Sequence, residues 1–187
     1  DSSPSRGLGD VYKRQGTQRP ARISGITAAR WAVLAGNFMD SQTAADLGLV
    51  TDLVDVTEVD STINKLSKLG KPAEKYPGTP ANTDSPVVKF ANSFYSDENL
   101  ATLIGGNCPE GFDSEDKIVS RQLRSLSRTA PIALQMASDL IDAAAGTTLK
   151  QGLSQELDNL EKIFSTSDAL EGLSALIEGR KPTYQNS

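Results

Sequence analysis

Apolar side chains recur along this chain in short bursts at helical spacing, separated by glycine, proline and small polar capping residues. Ile26, Trp31 and Leu34 open the series. Thr27 is the expected N-cap, Ile26 and Trp31 hold the spacing of a hydrophobic staple, and Gly36 closes the helix in the left-handed conformation. Asp40 should cap a second, short helix through Ala44, Ala45 and Leu47 that stops at Gly48. Residues 49–56 mix apolar and β-branched side chains and read as a strand. Val59, Ile63, Leu66 and Leu69 then return to a helical period that ends at Gly70.

The middle of the chain is less regular. Pro72, Pro77, Pro80 and Pro86 crowd a short span, and proline at that density denies both helix and ladder hydrogen bonds, so an extended loop is expected. Residues 87–95 and 98–104 are candidate short helices, with Val88, Phe90, Phe94 and Tyr95 set for core packing, and GGNCPEGF is a second loop. Asp113 or Ser114 should cap the next helix, with Ile118, Val119, Leu123 and Leu126 inward and Lys117, Arg121 and Arg124 outward.

From Thr129, read as a cap, with Pro131 in the first turn, the pattern strengthens. Ala133, Ala137, Leu140, Ile141 and Ala144 form one stripe; Leu149, Leu153, Leu157, Leu160 and Phe164 form a second. Leu170, Leu173, Leu176 and Ile177 form a third, capped by Ser165 or Thr166 and ended by Gly179. Three consecutive apolar stripes cannot be covered by one sheet face, so they must pack on one another or on another subunit. The fold class is therefore mainly α with one or two short β-strands.

Composition narrows the chemistry. The 187 residues carry 19 Lys+Arg against 24 Asp+Glu, a net charge of −5, which argues against a nucleic-acid partner because counterion release needs clustered cations. No apolar run reaches bilayer-spanning length and no secretion signal appears, so neither a membrane partner nor export is expected and a cytoplasmic location is. There is no histidine, which excludes imidazole bases and His-ligated metals, and a single cysteine, Cys108, which excludes an intrachain disulfide and a thiolate zinc site. Carboxylate, hydroxyl, amine and backbone chemistry remain. Residues 1–15, rich in Ser, Gly and Arg without periodicity, read as a disordered or non-native tail resembling a translated sequencing adapter, and their GLG triplet has neither the strand nor the helix of a phosphate loop.

Two stretches together carry a family resemblance. GTQRPARISG, a helix, and AGNFMDSQTAADLGLVTDLVD resemble the crotonase superfamily of enoyl-CoA hydratases and isomerases, with Gly16, Thr17, Gln18, Arg19, Gly36, Asp40, Ala44, Gly48, Leu49 and Val50 on the pattern. At the other end Phe164, Thr166, Asp168, Glu171, Gly172, Ala175, Glu178, Arg180, Pro182 and Tyr184 match the superfamily's closing signature, with Leu176 where phenylalanine is usual.

The resemblance implies the C-terminal portion of the α/β crotonase fold, its N-terminal β-rich core missing. Residues 16–56 would be the end of that core, 57–128 an extended helix-loop insertion, and 129–187 a C-terminal helical segment serving oligomerisation and the coenzyme A side. It also implies an acyl-CoA thioester substrate, a trimer-type homo-oligomer and no cofactor, NAD being relevant only if a 3-hydroxyacyl-CoA dehydrogenase domain were fused upstream.

Hydration of an enoyl-CoA needs paired carboxylates and an oxyanion hole. The resemblance places both upstream of Gly16, so no catalytic residue is expected here, and Asp10 has no matching context. For the coenzyme site, Leu160 falls where an aromatic residue is common and Gly179 where a lysine is usual, leaving Arg180 or Lys181 as substitutes. The reading is thus a fragment of an enoyl-CoA hydratase, inactive alone. The alternatives are a 3-hydroxyisobutyryl-CoA hydrolase-like thioesterase, suggested by the long middle, and a non-catalytic helical self-association module.

Overall fold

A computed structural model describes residues 16–69 and 81–186. The calls on residues 1–15 and on Pro72, Pro77 and Pro80 lie outside the described residues. The elements are helices α1 (Arg19–Ser24), α2 (Ile26–Val33), α3 (Ser41–Asp46), a 3-10 turn (Val56–Glu58), α4 (Val59–Leu69), α5 (Pro86–Phe94), α6 (Asp97–Ile104), α7 (Lys117–Leu126), α8 (Pro131–Ala143), α9 (Leu149–Phe164) and α10 (Ser167–Glu178). The mainly helical reading stands. The strand at 49–56 is not formed: residues 49–55 have no regular secondary structure, bend at Thr51 and lead to the 3-10 turn.

Two helices organise the core. α2 packs on α1, α5 and α8, while α8 also meets α6 and α9. Ala28, Ala29, Trp31 and Leu34 of α2 and its exit face Ala133, Leu134, Ala137, Leu140 and Ile141 of α8, the alanines permitting close approach. α5 adds Val88, Ala91 and Phe94, whose ring meets Phe112 edge-on at 4.9 Å and stacks on Phe90 at 5.0 Å. Among the described elements α4 packs chiefly on the 3-10 turn, and Val59, Ile63 and Leu69 are exposed.

Several caps differ from expectation. α2 starts at Ile26 with Gly25 as its N-cap at φ 92°, and Thr27, inside the helix, donates to Asn92 Oδ1 at 2.5 Å. Asp116, not Asp113 or Ser114, caps α7 by accepting from the Ile118 and Val119 amides; Asp113 instead turns the loop by accepting from Glu115. Ala130 rather than Thr129 precedes α8, with no side-chain cap and with Pro131 at the first position. Asp40 and Thr166 cap as expected, and Thr148 with Gln151 forms a capping box at α9.

Of the two settings open to the last two stripes, packing within the chain does not occur. On α9 the buried residues are Gly152, Glu156 and Ile163, and Leu157 is 67% exposed; on α10 the buried residues are Asp168, Ala169, Gly172 and Ala175, and Ile177 is 84% exposed. Ile118, expected inward on α7, is also exposed, and the buried positions there are Val119, Gln122 and Leu126.

The polar turn explains why α9 presents that face. Thr17 and Gln18 are fully buried. The Thr17 hydroxyl donates to Glu156, and Gln18 Nε2 donates to the Leu140 carbonyl at 2.8 Å. Arg22 Nη2 reaches Gln18 Oε1 at 3.1 Å, Thr147 Oγ1 at 3.0 Å and the Thr148 carbonyl at 3.2 Å. Gly152 makes room for this: a Cβ there would lie 1.8 Å from Gln18 Oε1. Gly152→Ala should therefore destabilise the chain by about 1–3 kcal/mol despite the gain in helix propensity. Urea unfolding checks this, and adding Gln18→Ala should recover part of the loss, so a neutral Gly152→Ala would contradict the packing described.

Candidate functional site

The side chains expected on the coenzyme side end up in different settings. Leu160 lies on the outward face of α9, and Arg180 and Lys181 follow the left-handed Gly179 that ends α10 at φ 68°. Arg180 is committed to carboxylates: Nη1 and Nη2 bind Glu171 as a fork, the second at 2.8 Å, and Nε meets Glu178. Lys181 is exposed. The Cys108 thiol donates to the Phe112 carbonyl at 3.5 Å.

The closing signature is a clamp on the chain's end. Asp168, buried in the first turn of α10, accepts from the Gln185 and Asn186 amides at 2.7 and 2.9 Å. Glu171, one turn later, accepts from the Thr183 amide at 2.7 Å as well as from Arg180. Thus the acid, the glutamate, the arginine and the tail that follows form one connected unit, and Tyr184 packs against the core between the clamped amides. The hydrogen bonds from Arg180 and the Thr183 amide hold the Glu171 carboxyl down at about 2.

A second polar hub went unread in the sequence. Arg30 is 2% exposed and joins three elements: Nη1 donates to the Tyr95 carbonyl at 3.1 Å and to Asp97 at 2.7 Å, and Nη2 to Asp142 at 2.7 Å. Its position was available, since Arg30 stands four residues after Ile26 and four before Leu34, on the apolar face of α2. Nearby, the Tyr95 hydroxyl and Asn37 Nδ2 both donate to Gln122 Oε1 at 2.8 Å, and Gln122 Nε2 returns a bond to Asn37. Burial pushes the Tyr95 phenol well above its ordinary range.

The carboxyls with shifted titration, Asp40, Asp46, Asp55, Glu98 and Glu171, are all pushed down, chiefly by hydrogen bonds to backbone or side-chain donors. A general acid working near neutrality needs the opposite shift. Among the described residues no group of three potential ligands could hold a metal, and no helix is long and apolar enough to cross a membrane.

The family follows from comparison. Residues 19–187 match the family model described as enoyl-CoA hydratase/isomerase. The chain belongs to that family. It is 32% identical over 181 residues to a probable mitochondrial enoyl-CoA hydratase 2 of Arabidopsis thaliana, covering 97% of this chain and 42% of that protein. To a probable mitochondrial enoyl-CoA hydratase of Dictyostelium discoideum it is 24% identical over 183 residues, covering 98% of this chain and 46% of the relative. The chain thus spans less than half the length of these relatives, and the similarity runs through residues 57–128. No solved structure matches. A cytoplasmic location draws no support from relatives named mitochondrial.

The clamp has a pH signature. Glu171 titrates at about 2 folded against 4.5 ordinarily, so its contribution is complete above about pH 4.5 and is lost as the pH falls towards 2. Hydrogen exchange at the Thr183 amide should lose protection over that window. Arg180→Gln should move the loss to higher pH, and unchanged protection in that variant would show that the fork does not hold the tail.

Proposed function

We propose that this chain is the helical C-terminal portion of an enoyl-CoA hydratase that adds water to 2-enoyl-CoA thioesters in fatty-acid β-oxidation, and that these 187 residues alone are inactive. The observation that supports the reading is the family match over residues 19–187. Hydration requires a base, an acid and an oxyanion hole in one water-excluding site. In this reading the Thr17–Gln18 turn abuts that site, and Leu160 and Lys181 lie on its coenzyme side, with Arg180 spent on Glu171. The purified chain should show no hydration of crotonyl-CoA, whereas the reading frame extended upstream should show it; turnover by the chain alone would refute its inactivity.

Thioester hydrolysis is the second reading, suggested by the length of the segment at residues 57–128. Release of free coenzyme A thiol without hydration by the extended protein would select it.

We propose further that the outward faces of α9 and α10 are covered by further copies of the chain in a trimer-type assembly. Leu157, Leu160, Phe164, Leu170, Leu173, Leu176 and Ile177 are all exposed on two consecutive helices, and clustered exposed apolar side chains mark interaction surfaces. Sedimentation should show an oligomer that dissociates in Leu157→Lys/Ile177→Lys; a strictly monomeric parent chain with retained helicity would refute this arrangement.

A further inference from the structure

The cleft between α7 and the turn that follows α2, about 320 Å³ in volume, is lined by Arg121, Arg124, Arg128, Ser125, Asn37 and Phe38 among others, with no carboxylate in its lining. The three arginines stand at i, i+3 and i+7 and so share one face of α7 and its exit. They differ from Arg22, Arg30 and Arg180, each of which is bonded to named oxygens. Among the described residues no side-chain hydrogen bond or ion pair engages Arg121, Arg124 or Arg128. Three cations on one face of a chain with net charge −5 repel one another at helical spacing, an arrangement that costs stability until an anion arrives.

The helix end does not account for them. A helix C-terminus carries roughly half a negative charge and acts within its last turn. That suits Arg124 and Arg128, but Arg121 stands mid-helix in Lys117–Leu126, and half a charge offsets a fraction of three.

The wall behind them is fixed and its own polar groups are spent. Ser125 Oγ donates to the Ala35 carbonyl. Asn37 Nδ2 donates to the Trp31 carbonyl at 2.7 Å, and Asn37 exchanges a pair of hydrogen bonds with Gln122. Recognition is left to the guanidinium groups, whose planar forks match phosphoryl oxygens, and to the Phe38 ring, 72% exposed beside them.

We propose that this cleft is a binding site for a ligand carrying a pyrophosphate-type group, with Arg121, Arg124 and Arg128 as its anion contacts and Phe38 as the face for whatever aromatic or apolar group the phosphates bear. The site rests on these residues alone and is independent of the acyl-CoA reading. A free nucleotide and the phosphoadenosine end of a coenzyme A thioester share this chemistry.

Titration of the chain with inorganic pyrophosphate, ADP and coenzyme A in chloride buffer tests it. The readouts are calorimetry and the fluorescence of Trp31, the sole tryptophan, whose carbonyl is bonded to Asn37. Saturable binding is expected, weakening with added salt and reduced at least tenfold in Arg121→Gln/Arg124→Gln. It should be unaltered in Lys150→Gln/Lys162→Gln, which removes the same charge from the exposed face of α9. Tighter binding of ADP than pyrophosphate, abolished by Phe38→Ala, would support the stacking role, and coenzyme A binding tighter than ADP would identify the coenzyme as the source. Absence of saturable binding to all three, equal losses in the two double variants, or sulfate competing as well as pyrophosphate would overturn the proposal. Circular dichroism of the variants, all substituted at exposed positions, guards against misfolding as the cause of a loss.

Discussion

Burying an amide and a hydroxyl at the centre of a small helical core is tolerable only if each finds a partner, and this requirement at Thr17 and Gln18 governs the rest of the molecule. The nearest regular donors and acceptors are already used within helices. The partners are therefore taken from helix ends and from one acidic side chain. The Leu140 carbonyl is among those left over as α8 ends, since the Ala144 amide turns back to Ile141, and Gln18 fills it. Arg22 does the same for the Thr147 and Thr148 carbonyls, so one short turn supplies the C-terminal cap of α8 and fixes the entry of α9.

The consequence for α9 is a rotation about its own axis. Glu156 must face inward to meet Thr17, and Gly152 must face inward so that Gln18 fits. Residues four apart share a face, so the Leu149–Leu153–Leu157–Leu160–Phe164 series is carried away from the core. Periodicity alone leaves open whether this stripe packs within the chain or on another subunit, and the two polar demands turn it away from the chain's own core. An unpaired buried polar group costs about 1–3 kcal/mol, whereas an exposed leucine leaves its burial gain available to a later contact.

What was legible in the residues follows the same logic. Signals that depend on the chain's own neighbours came through: Asp40 and Thr166 as caps, Pro131 at a first helical position, Trp31 with Leu34, and the alanine face of α8. Signals that depend on partners distant in sequence did not. Residues 49–56 have strand character, yet extended backbone becomes sheet only beside another strand. Arg30, Gln122 and Glu156 are polar residues on buried faces, and each is buried because of a partner more than twenty residues away. The motif residues Thr17, Gln18, Asp168 and Glu171 could be singled out by resemblance, but their task as cap and clamp required coordinates.

The two signatures, at the two ends of the chain, therefore do the same kind of work. Each ties a helix to a neighbouring segment through oxygens and amides that regular structure leaves unpaired. Thr17 and Gln18 do this for α8 and α9, Asp168 and Glu171 for α10 and the tail. A hydrogen bond to an ionised carboxylate or guanidinium is roughly twice as strong as a neutral one, so these anchors set orientation more firmly than the sparse apolar contacts around them. With α9 and α10 held at both ends by polar ties, their apolar faces are presented in a fixed geometry rather than as a loose surface.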